Sequence, residues 1–331
     1  MTPSHRPQAS SLERAQAVVA LGGGHGLHAS LTALRMLVDD LTVDELTAVV
    51  TVADNGGSSG RLRGEFGVLP PGDLRMALAA LCGDDEWGDT WARVLQHRFE
   101  GHGEMRGHVV GNLLIVGLWE LLGDHVDALD WVGRLLGAKG RVLPMAMTPM
   151  DITAEVRGLG ADPDALTTVR GQVEVATTDG VIDSVALDPP DPDVTPAALA
   201  AIEEADWAVL GPGSWFSSVI PHLLVPQLRD ALAATEARLI VVLNLAEQQG
   251  ETHGFGPADH LSVLAEHAPD LKVHTVLADR ESVGEELDDL RSVVTALGAR
   301  LVIDDVAMSD GTPRHDPTLL AAAYTRIMQT T

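Results

Sequence analysis

The chain has little of several residue types whose abundance would indicate particular classes of protein. Among its 331 residues it has one cysteine, Cys82, and its lysines are Lys139 and Lys272. A single cysteine excludes an intrachain disulfide, and this favours a protein of a reducing compartment over a disulfide-stapled secreted domain. Because Cys82 lies in an apolar helical stretch, we expect it to be inert packing.

Positive charge is scarce in general. The 22 lysines and arginines are opposed by 48 aspartates and glutamates, which gives a formal net charge of −26. Nucleic acids and anionic membranes both select positively charged surfaces, so we expect neither as a partner. An anionic small ligand would need a local cluster of arginines and backbone N–H groups.

Long apolar runs are also lacking. The run at 109–122 is too short to span a bilayer and contains Glu120. The first 15 residues are polar, without the apolar region of a secretory signal, and are interpreted as a flexible tail. We therefore predict no membrane insertion and a cytoplasmic location. The part of the run at 111–122 is expected to form a buried core helix.

The order of the apolar segments predicts one α/β domain over residues 16–331. Short continuous apolar segments alternate with helical spacing; they lie at 17–21, 46–53, 207–210, 239–243, 273–277 and 301–303. Such strands are typical of a parallel sheet that is covered on both faces. Over about 141–190, alternating stretches and turns rich in proline and aspartate predict an insertion of short antiparallel strands.

The stretch 51–81 is the densest group of residue types that bind ligands. An apolar strand ends at Asp54, and the sequence continues with Asn-Gly-Gly-Ser-Ser-Gly, Arg61 and Arg63. Glycine allows close approach of a ligand, serine donates hydrogen bonds, and the arginine fork fits phosphate or carboxylate. We interpret this stretch as a ligand loop; the alternative is a flexible linker. Asp73, after Pro-Pro-Gly, is predicted to be a helix N-cap.

Ligands of open α/β sheets bind beyond the carboxyl ends of the strands, and other strand ends here also carry unusual loops. After the first strand, Gly24, Gly26 and Ala29 match the loose dinucleotide-binding pattern. The pattern favours a pyrophosphate at a helix N-terminus, although a tight turn has the same glycines. Asp54 occupies the place of a ribose-binding carboxylate, but the arginine pair after it disfavours an NAD enzyme.

Three later loops hold further candidates, each with a structural alternative. Ser214 and Ser217, in the sequence GPGSWFS, either cap a helix or donate to a phosphate. Phe255, at the end of the loop 244–255, either stacks on a base or packs in the core. Arg314 follows a Gly-Thr-Pro turn and is either a ligand contact or a solvated surface arginine.

No catalytic or metal-binding pattern is evident. His97, His102 and His108 are spaced too irregularly for a helical zinc site, and there is no second cysteine to assist them. The Ser-His-Asp order and the nucleophile elbow of hydrolases are absent. We therefore assign no catalytic residue and no metal.

Several of these segments together resemble the CofD-like superfamily, and most closely its gluconeogenesis-factor (YvcK-type) branch. They are GGGHGL (22–27), TVADNGGSSGRLR (51–63), PPGDLRMAL (70–78), GHVVGNLL (107–114), GPGSWFSSVIPHLLVP (211–226), NLAEQQGETHGF (244–255) and Arg314-His315-Asp316. The resemblance implies a Rossmann-like three-layer fold that binds UDP-sugars such as UDP-N-acetylglucosamine or UDP-glucose. It also implies a role in cell-wall growth and cell shape. The sister branch transfers a phospholactyl group to a deazaflavin precursor.

The motifs and the resemblance give one set of predicted ligand-binding residues. The set is Gly23, Gly24, His25, Gly26, Asp54, Asn55, Ser58, Ser59, Arg61, Asp73, Asn112, Gly213, Ser214, Ser217, Asn244, Phe255 and Arg314. We further expect a homo-oligomer, most simply a dimer, and cell-wall regulatory proteins as partners. No firm cofactor is predicted, and Mg²⁺ is expected only as the companion of a nucleotide.

The sequence departs from the branch pattern at His25, Asn55 and Phe255, where threonine, aspartate and tyrosine are usual. Asn55 removes a carboxylate, which weakens the hypothesis that an acidic pair at 54 and 55 binds Mg²⁺ for catalysis. The leading hypothesis is therefore a UDP-sugar-binding regulatory protein without turnover. The alternative is a transferase of the phospholactate type, which would need charge on the transferring phosphate and a second substrate pocket.

Overall fold

The computed structural model describes residues 16–160, 162–248 and 250–330, so the predicted tail at 1–15 lies outside the described residues. Seven strands form a parallel main sheet; they are β1 (Ala17–Gly22), β2 (Glu45–Val50), β3 (Arg141–Pro144), β7 (Trp207–Leu210), β8 (Arg238–Val242), β9 (Val273–Asp279) and β10 (Arg300–Asp304). Their order across the sheet is β10-β9-β8-β7-β1-β2-β3.

The central strands of the main sheet are buried on both faces. Val18 and Leu21 of β1 point to opposite faces, because side chains alternate along a strand, and both are at most 2% exposed. All four residues of β7 are equally buried. Continuous apolar strands thus form the parallel sheet that the sequence predicts, and the predicted α/β class is confirmed.

Helices connect the strands of the main sheet, both before and after the small insertion in the sequence. Before it come α1 (Gly24–Asp39), α2 (Gly57–Phe66), α3 (Gly72–Ala80), α4 (Glu86–Gln96), α5 (Val110–Leu122) and α6 (His125–Leu136). After it come α8 (Pro196–Glu204), a π-helix (Trp215–Val219), α9 (Pro221–Leu224), α10 (Pro226–Ala234), α11 (Pro257–His267), α12 (Arg280–Val283), a 3₁₀ turn (Gly284–Glu286), α13 (Leu287–Ala296) and α14 (Pro317–Gln329). The first and last helices pack together, and the buried Tyr324 and Ser30 hydroxyls are 2.8 Å apart.

The insertion contains a three-stranded antiparallel sheet in the order β5-β4-β6. Its elements are β4 (Asp151–Arg157), β5 (Leu166–Arg170), α7 (Gln172–Ala176) and β6 (Val181–Asp188). The segment 172–176, within the range where the sequence predicts short antiparallel strands, is instead the helix α7, so the prediction is wrong there. β3, at the start of the predicted range 141–190, pairs in parallel with β2 and belongs to the main sheet.

Three local predictions are corrected by the structure. The expected Gly/Ser loop is mostly helical, since α2 begins at Gly57. Asp73 is not the N-cap of α3: Pro71 holds that place, and Asp73 lies in the first turn. The segment 111–122 forms the predicted helix α5, but only one of its faces is buried, and Leu121 is 77% exposed.

The direction of the chain across the sheet reverses between β1 and β7. From β1 the chain moves to β2 and β3, and it then returns to the other side of β1 as β7 before it continues to β10. The strands that follow β1 and β7 therefore lie on opposite sides of this strand pair, and the change of direction at their carboxyl ends favours a crevice. Crevices of this kind are the usual ligand sites of open α/β sheets.

Candidate functional site

A cavity of about 740 Å³ lies at this reversal of strand order. Its wall is built from the loops that follow β1, β2, β7 and β8, together with α7 of the insertion and the segment before α14. The lining residues that the sequence predicts are Gly23, Gly24, His25, Gly26, Asp54, Asp73, Gly213, Ser214, Ser217, Asn244 and Arg314. Residues that are far apart in the sequence thus share one concave surface.

The glycines of the first loop allow it to pack against the loop after β7. A Cβ atom added to Gly26 would lie 2.2 Å from the carbonyl oxygen of Pro212, and one added to Gly23 would lie 2.5 Å from Oδ2 of Asp73. Any side chain at either position would displace the facing loop or the carboxylate. The amide groups of His25 and Gly26 belong to the first turn of α1, where N–H groups have no partner within the helix.

Asp54 and Asp73 form an acidic pair at the cavity wall. Oδ1 of Asp54 accepts a hydrogen bond from Gly56 N at 2.7 Å, and Asp73 accepts one from the backbone of Gly24. Burial, and then the neighbouring charge of Asp54, raise the pKa of Asp73 to about 7. The second carboxylate that the sequence lacks at position 55 is therefore supplied by Asp73, from the start of α3.

The N–H groups of the turn after β7 are already bonded within the protein. Asn244 Oδ1 accepts from Gly213 N at 3.0 Å, and Gln248 Oε1 accepts from Trp215 N at 3.3 Å. Glu251 accepts from the amides of Phe216, at 2.9 Å, and of Ser217, at 3.3 Å. The amides of Gly213, Trp215, Phe216 and Ser217 are thus engaged within the protein and are not free to bind a phosphate.

Glu251 also fixes the side chain of Ser217. The Ser217 hydroxyl donates to Oε1 of Glu251, a carboxylate that is only 4% exposed. Burial raises the pKa of Glu251, while its three hydrogen bonds act in the opposite direction. Since the Ser217 proton is engaged with the carboxylate, this hydroxyl has only lone pairs left for a ligand.

Helix α7 brings the insertion to the rim of the cavity. Asn55 holds it there, because its Oδ1 accepts from Val173 N at 3.0 Å and its Nδ2 donates to Glu174 at 2.7 Å. Gln172 Nε2 donates to the carbonyl of Ser217 at 3.1 Å. Asn55 therefore joins the insertion to the main domain and does not itself line the cavity.

Four other predicted residues lie behind the cavity wall and hold α2 in place. Ser58 Oγ accepts from Val109 N at 3.3 Å, and Ser59 Oγ accepts from Asn112 at 3.5 Å. Asn112 also accepts from Arg75 Nε at 3.0 Å. Arg61 donates to two backbone carbonyls, at 2.9 and 3.1 Å. Ser58, Ser59 and Arg61 of the 51–63 motif thus hold α2 against neighbouring segments and do not line the cavity.

The last two predicted residues in the sequence, Phe255 and Arg314, differ in their position relative to the cavity. Arg314 lines the cavity with a side chain that is 64% exposed, and its guanidinium lies 3.0 Å from Asp310. Phe255 is outside the lining and half-buried, with edge-to-face contacts to Phe216 and His260 at 5.9 and 5.6 Å between centroids. The structure therefore places Phe255 in the packing that supports the π-helix.

Several lining residues were not among the predicted set. Gln172, Val173 and Ala176 come from α7, whose position depends on long-range contacts without a local sequence signal. His315 follows Arg314 and could have been included with it; burial lowers its pKa to about 4, so it is neutral at physiological pH. Gln248 also lines the cavity, in the loop that the sequence had identified.

The described residues contain no group of three or more histidine, cysteine or carboxylate side chains suited to holding a metal ion. Any cation at Asp54 and Asp73 would therefore need further ligands from a bound molecule or water. Over the same residues, no helix has the length and apolar character needed to cross a membrane.

Comparison with known proteins shows the family to which the chain belongs. The sequence model of the CofD family, described as 2-phospho-L-lactate transferase CofD, matches residues 18–306. A putative gluconeogenesis factor of Mycobacterium tuberculosis is 55% identical over 307 residues, which are 92% of this chain and 88% of the relative. A gluconeogenesis factor of Listeria monocytogenes is 34% identical over 316 residues, 92% of this chain and 94% of the relative.

A crystal structure of a Bacillus halodurans protein superposes with a TM-score of 0.83 at 32% identity, covering 94% of this chain and 100% of that one. The family match includes the loops after β1, β2, β7 and β8, which form most of the cavity wall. The chain belongs to the CofD family, and its relatives include proteins named gluconeogenesis factors.

Proposed function

We propose that this protein binds a UDP-sugar, such as UDP-N-acetylglucosamine or UDP-glucose, as a cytoplasmic regulatory protein that affects cell-wall synthesis and cell shape. The observation that supports this most is the cavity at the reversal of strand order. Its volume of about 740 Å³ lies within the range of about 300–1,000 Å³ that is usual for small-molecule sites. The names of the relatives support a role in sugar metabolism.

The polarity of the wall fits a nucleotide-sugar. The first turn of α1 offers amides at the positive end of a helix dipole, and Arg314 adds a charged donor, a combination that suits a diphosphate. Ser217 and the carboxylates of Asp54 and Asp73, which also line the cavity, accept hydrogen bonds. Hydroxyl groups of a sugar are suitable donors for these acceptors.

A Mg²⁺ ion that accompanies the diphosphate would take Asp54 and Asp73 as oxygen ligands. Oxygen donors are what this cation prefers, and it commonly combines one or two carboxylates with phosphate oxygens and water. A cation would also offset the burial and the repulsion from Asp54 that together raise the pKa of Asp73. Binding of the nucleotide should therefore be tighter with Mg²⁺ than with a chelator.

The same acidic pair supports a second candidate, a transferase of the phospholactate type. The matching family is described by that activity, and the fold supplies the second carboxylate by pairing Asp54 with Asp73. Turnover decides between the two functions. Release of UDP or UMP from a UDP-sugar with Mg²⁺ above the protein-free rate would favour the transferase, and a sugar left intact over long incubation would favour the regulator.

The first test is a thermal-shift titration, because a ligand that binds only the folded state raises the melting temperature. We expect UDP-N-acetylglucosamine or UDP-glucose to raise it and NAD⁺ to leave it unchanged. Arg314→Ala should weaken binding about tenfold to a hundredfold, as expected for a hydrogen bond from a charged group. Because this side chain is largely exposed, the melting temperature without ligand should hardly change.

Arg229→Ala is the matched control, since Arg229 contacts its neighbour Asp230 on α10 and is not part of the cavity. A shift by NAD⁺ and by no uridine compound would replace the proposal with a dinucleotide function. Equal affinity of the Arg314→Ala and unsubstituted proteins in calorimetric titration would remove Arg314 from the site.

A further inference from the structure

The cavity has little fixed positive charge for an anionic ligand. Among the described residues that line it, Arg314 is the one arginine or lysine, and its guanidinium pairs with Asp310 at 3.0 Å. The lining also includes the carboxyl groups of Asp54, Asp73 and Glu247, which repel an anion when they are ionised. A bound diphosphate therefore needs further positive charge, from other groups of the wall or from a cation.

Two histidines of α1 lie next to the amides that the proposed diphosphate would use. His25 and His28 are three residues apart on this helix, so their side chains lie on one face, and both line the cavity. His25 is exposed and His28 is partly buried. Within the part of the chain that the structure describes, no protein group forms a hydrogen bond to either imidazole ring. Both rings are therefore free to bind a ligand.

The protein by itself disfavours the charged form of His28. Burial lowers the pKa of this imidazole most, and repulsion from His25, Arg75 and Arg35 lowers it further. His28 is therefore mostly neutral at pH 7. An anion beside the two rings would act in the opposite direction, because it stabilises the imidazolium form and accepts a charge-assisted hydrogen bond from it.

The other titratable groups around α1 cannot supply this charge. From α3, Asp73 is an acid, and from α14 the Tyr324 hydroxyl lies 2.8 Å from Ser30 Oγ, with a pKa that burial raises. Strand β1 has no charged residue, and Glu45 lies at the amino end of β2, away from the cavity. His315 lines the cavity, but burial lowers its pKa to about 4. The two histidines of α1 are thus the groups of the wall that can gain positive charge near neutral pH.

We propose that His25 and His28 hold the diphosphate of the ligand as charged donors and that they gain protons when the ligand binds. This inference rests on the proposed nucleotide-sugar function and adds a proton to its binding equilibrium. The phosphates of a nucleotide-sugar stay ionised between about pH 6 and pH 8, so the protons go to the protein. Since the ligand favours the protonated histidines, its affinity should rise as pH falls.

Calorimetric titration of the full chain with UDP-N-acetylglucosamine tests the proposal at pH 6 and pH 8. A chelator is present, so that no Mg²⁺ supplies the charge instead. Two buffers of different ionisation enthalpy are compared, because the difference in heat counts the protons taken up. The unsubstituted protein should take up protons and bind at least about tenfold more tightly at pH 6, since each proton taken up changes the affinity by up to about tenfold per pH unit.

The double variant His25→Gln/His28→Gln removes both titrating rings and retains side chains that form hydrogen bonds. Its affinity should change at most about threefold between the two pH values. Asp73 accounts for this remainder, because its pKa of about 7 lies in the same range. His102→Gln is the matched control: His102 is exposed, lies outside the cavity lining, and its replacement should leave the full pH dependence.

Equal pH dependence of the double variant and the unsubstituted protein would overturn the proposal, as would binding without proton uptake. Loss of the pH dependence in Asp73→Asn, with both histidines present, would assign the proton to Asp73 and overturn it as well. Absence of UDP-N-acetylglucosamine binding at both pH values would instead refute the proposed function, and this inference with it. The two failures are distinguishable, because only the second removes the heat of binding.

Discussion

Asp73 is held where its negative charge is disfavoured, by burial and by the nearby Asp54, so that its pKa is raised from 3.8 to about 7. A carboxyl group whose pKa is higher in the folded than in the unfolded protein makes folding less favourable as pH rises. Its stabilising contribution is complete below about pH 4 and is lost as pH rises through about 7. Such an arrangement is typical of a functional site, where stability is sacrificed for chemistry.

We therefore expect Asp73→Asn to be more stable than the unsubstituted protein at pH 8, by on the order of 3 kcal/mol, and equally stable near pH 4. Melting temperatures of the two proteins from pH 4 to pH 8 measure the difference. Asp270→Asn, at an exposed loop position, is the control and should follow the unsubstituted protein throughout. A constant difference between Asp73→Asn and the unsubstituted protein over this range would contradict the raised pKa.

At the scale of an element, the π-helix and the loop after β8 depend on each other through Glu251. This carboxylate accepts hydrogen bonds from two amides of the π-helix and from the Ser217 hydroxyl. π-helical turns are rare and are found frequently at functional sites. Here the side chain of Glu251 stabilises the turn by satisfying donors that the turn itself leaves unpaired.

Removal of the Glu251 carboxylate should destabilise the protein markedly. A buried donor that is left without an acceptor costs about 1–3 kcal/mol. Glu251→Ala should therefore lower the free energy of unfolding, measured by urea titration, by at least about 2 kcal/mol. Glu251→Gln should lose less, because the amide oxygen can still accept from the two backbone groups. Glu266→Ala, on the exposed side of α11, should have little effect. Equal losses for Glu251→Ala and Glu266→Ala would show that Glu251 does not stabilise the turn.

At the scale of the whole molecule, the excess of acidic residues opposes the compact state. The net charge is −26, and most arginine–aspartate pairs at the surface are exposed and contribute little. Like charges repel over distances that salt shortens: the screening length falls from about 30 Å at 0.01 M to about 8 Å at 0.15 M. The stability of this chain should therefore depend on ionic strength.

We expect the melting temperature at neutral pH to rise when sodium chloride is raised over that range. Near the isoelectric point of about 4.6 the net charge vanishes, and the same increase in salt should have a much smaller effect. Calorimetric scans at both pH values supply the measurement and its control. A melting temperature at neutral pH that does not respond to salt would contradict a dominant role for charge repulsion.

The sequence by itself determined the class of fold and several of the residues that line the cavity. Continuous apolar strands specify a sheet covered on both faces, and glycine-rich turns after β1 and β7 mark the strand ends where ligands bind. Both signals are local, because they depend on hydrophobic spacing and on backbone freedom. Gly26, Asp54 and Asn244 could be selected in this way, and all three line the cavity.

Only the tertiary structure decided which polar side chains face the cavity and which face the interior. Ser58 and Ser59 lie in the same motif as the lining residue Asp54, yet α2 turns them toward α5, where Ser58 accepts from Val109 N and Ser59 accepts from Asn112. The pairing of Asp54 with Asp73 and the arrival of α7 at the rim also depend on packing between distant segments. The physical reason is that the direction of a side chain is fixed by the helix or strand that bears it and by what packs against that element, and neither is encoded in the motif alone.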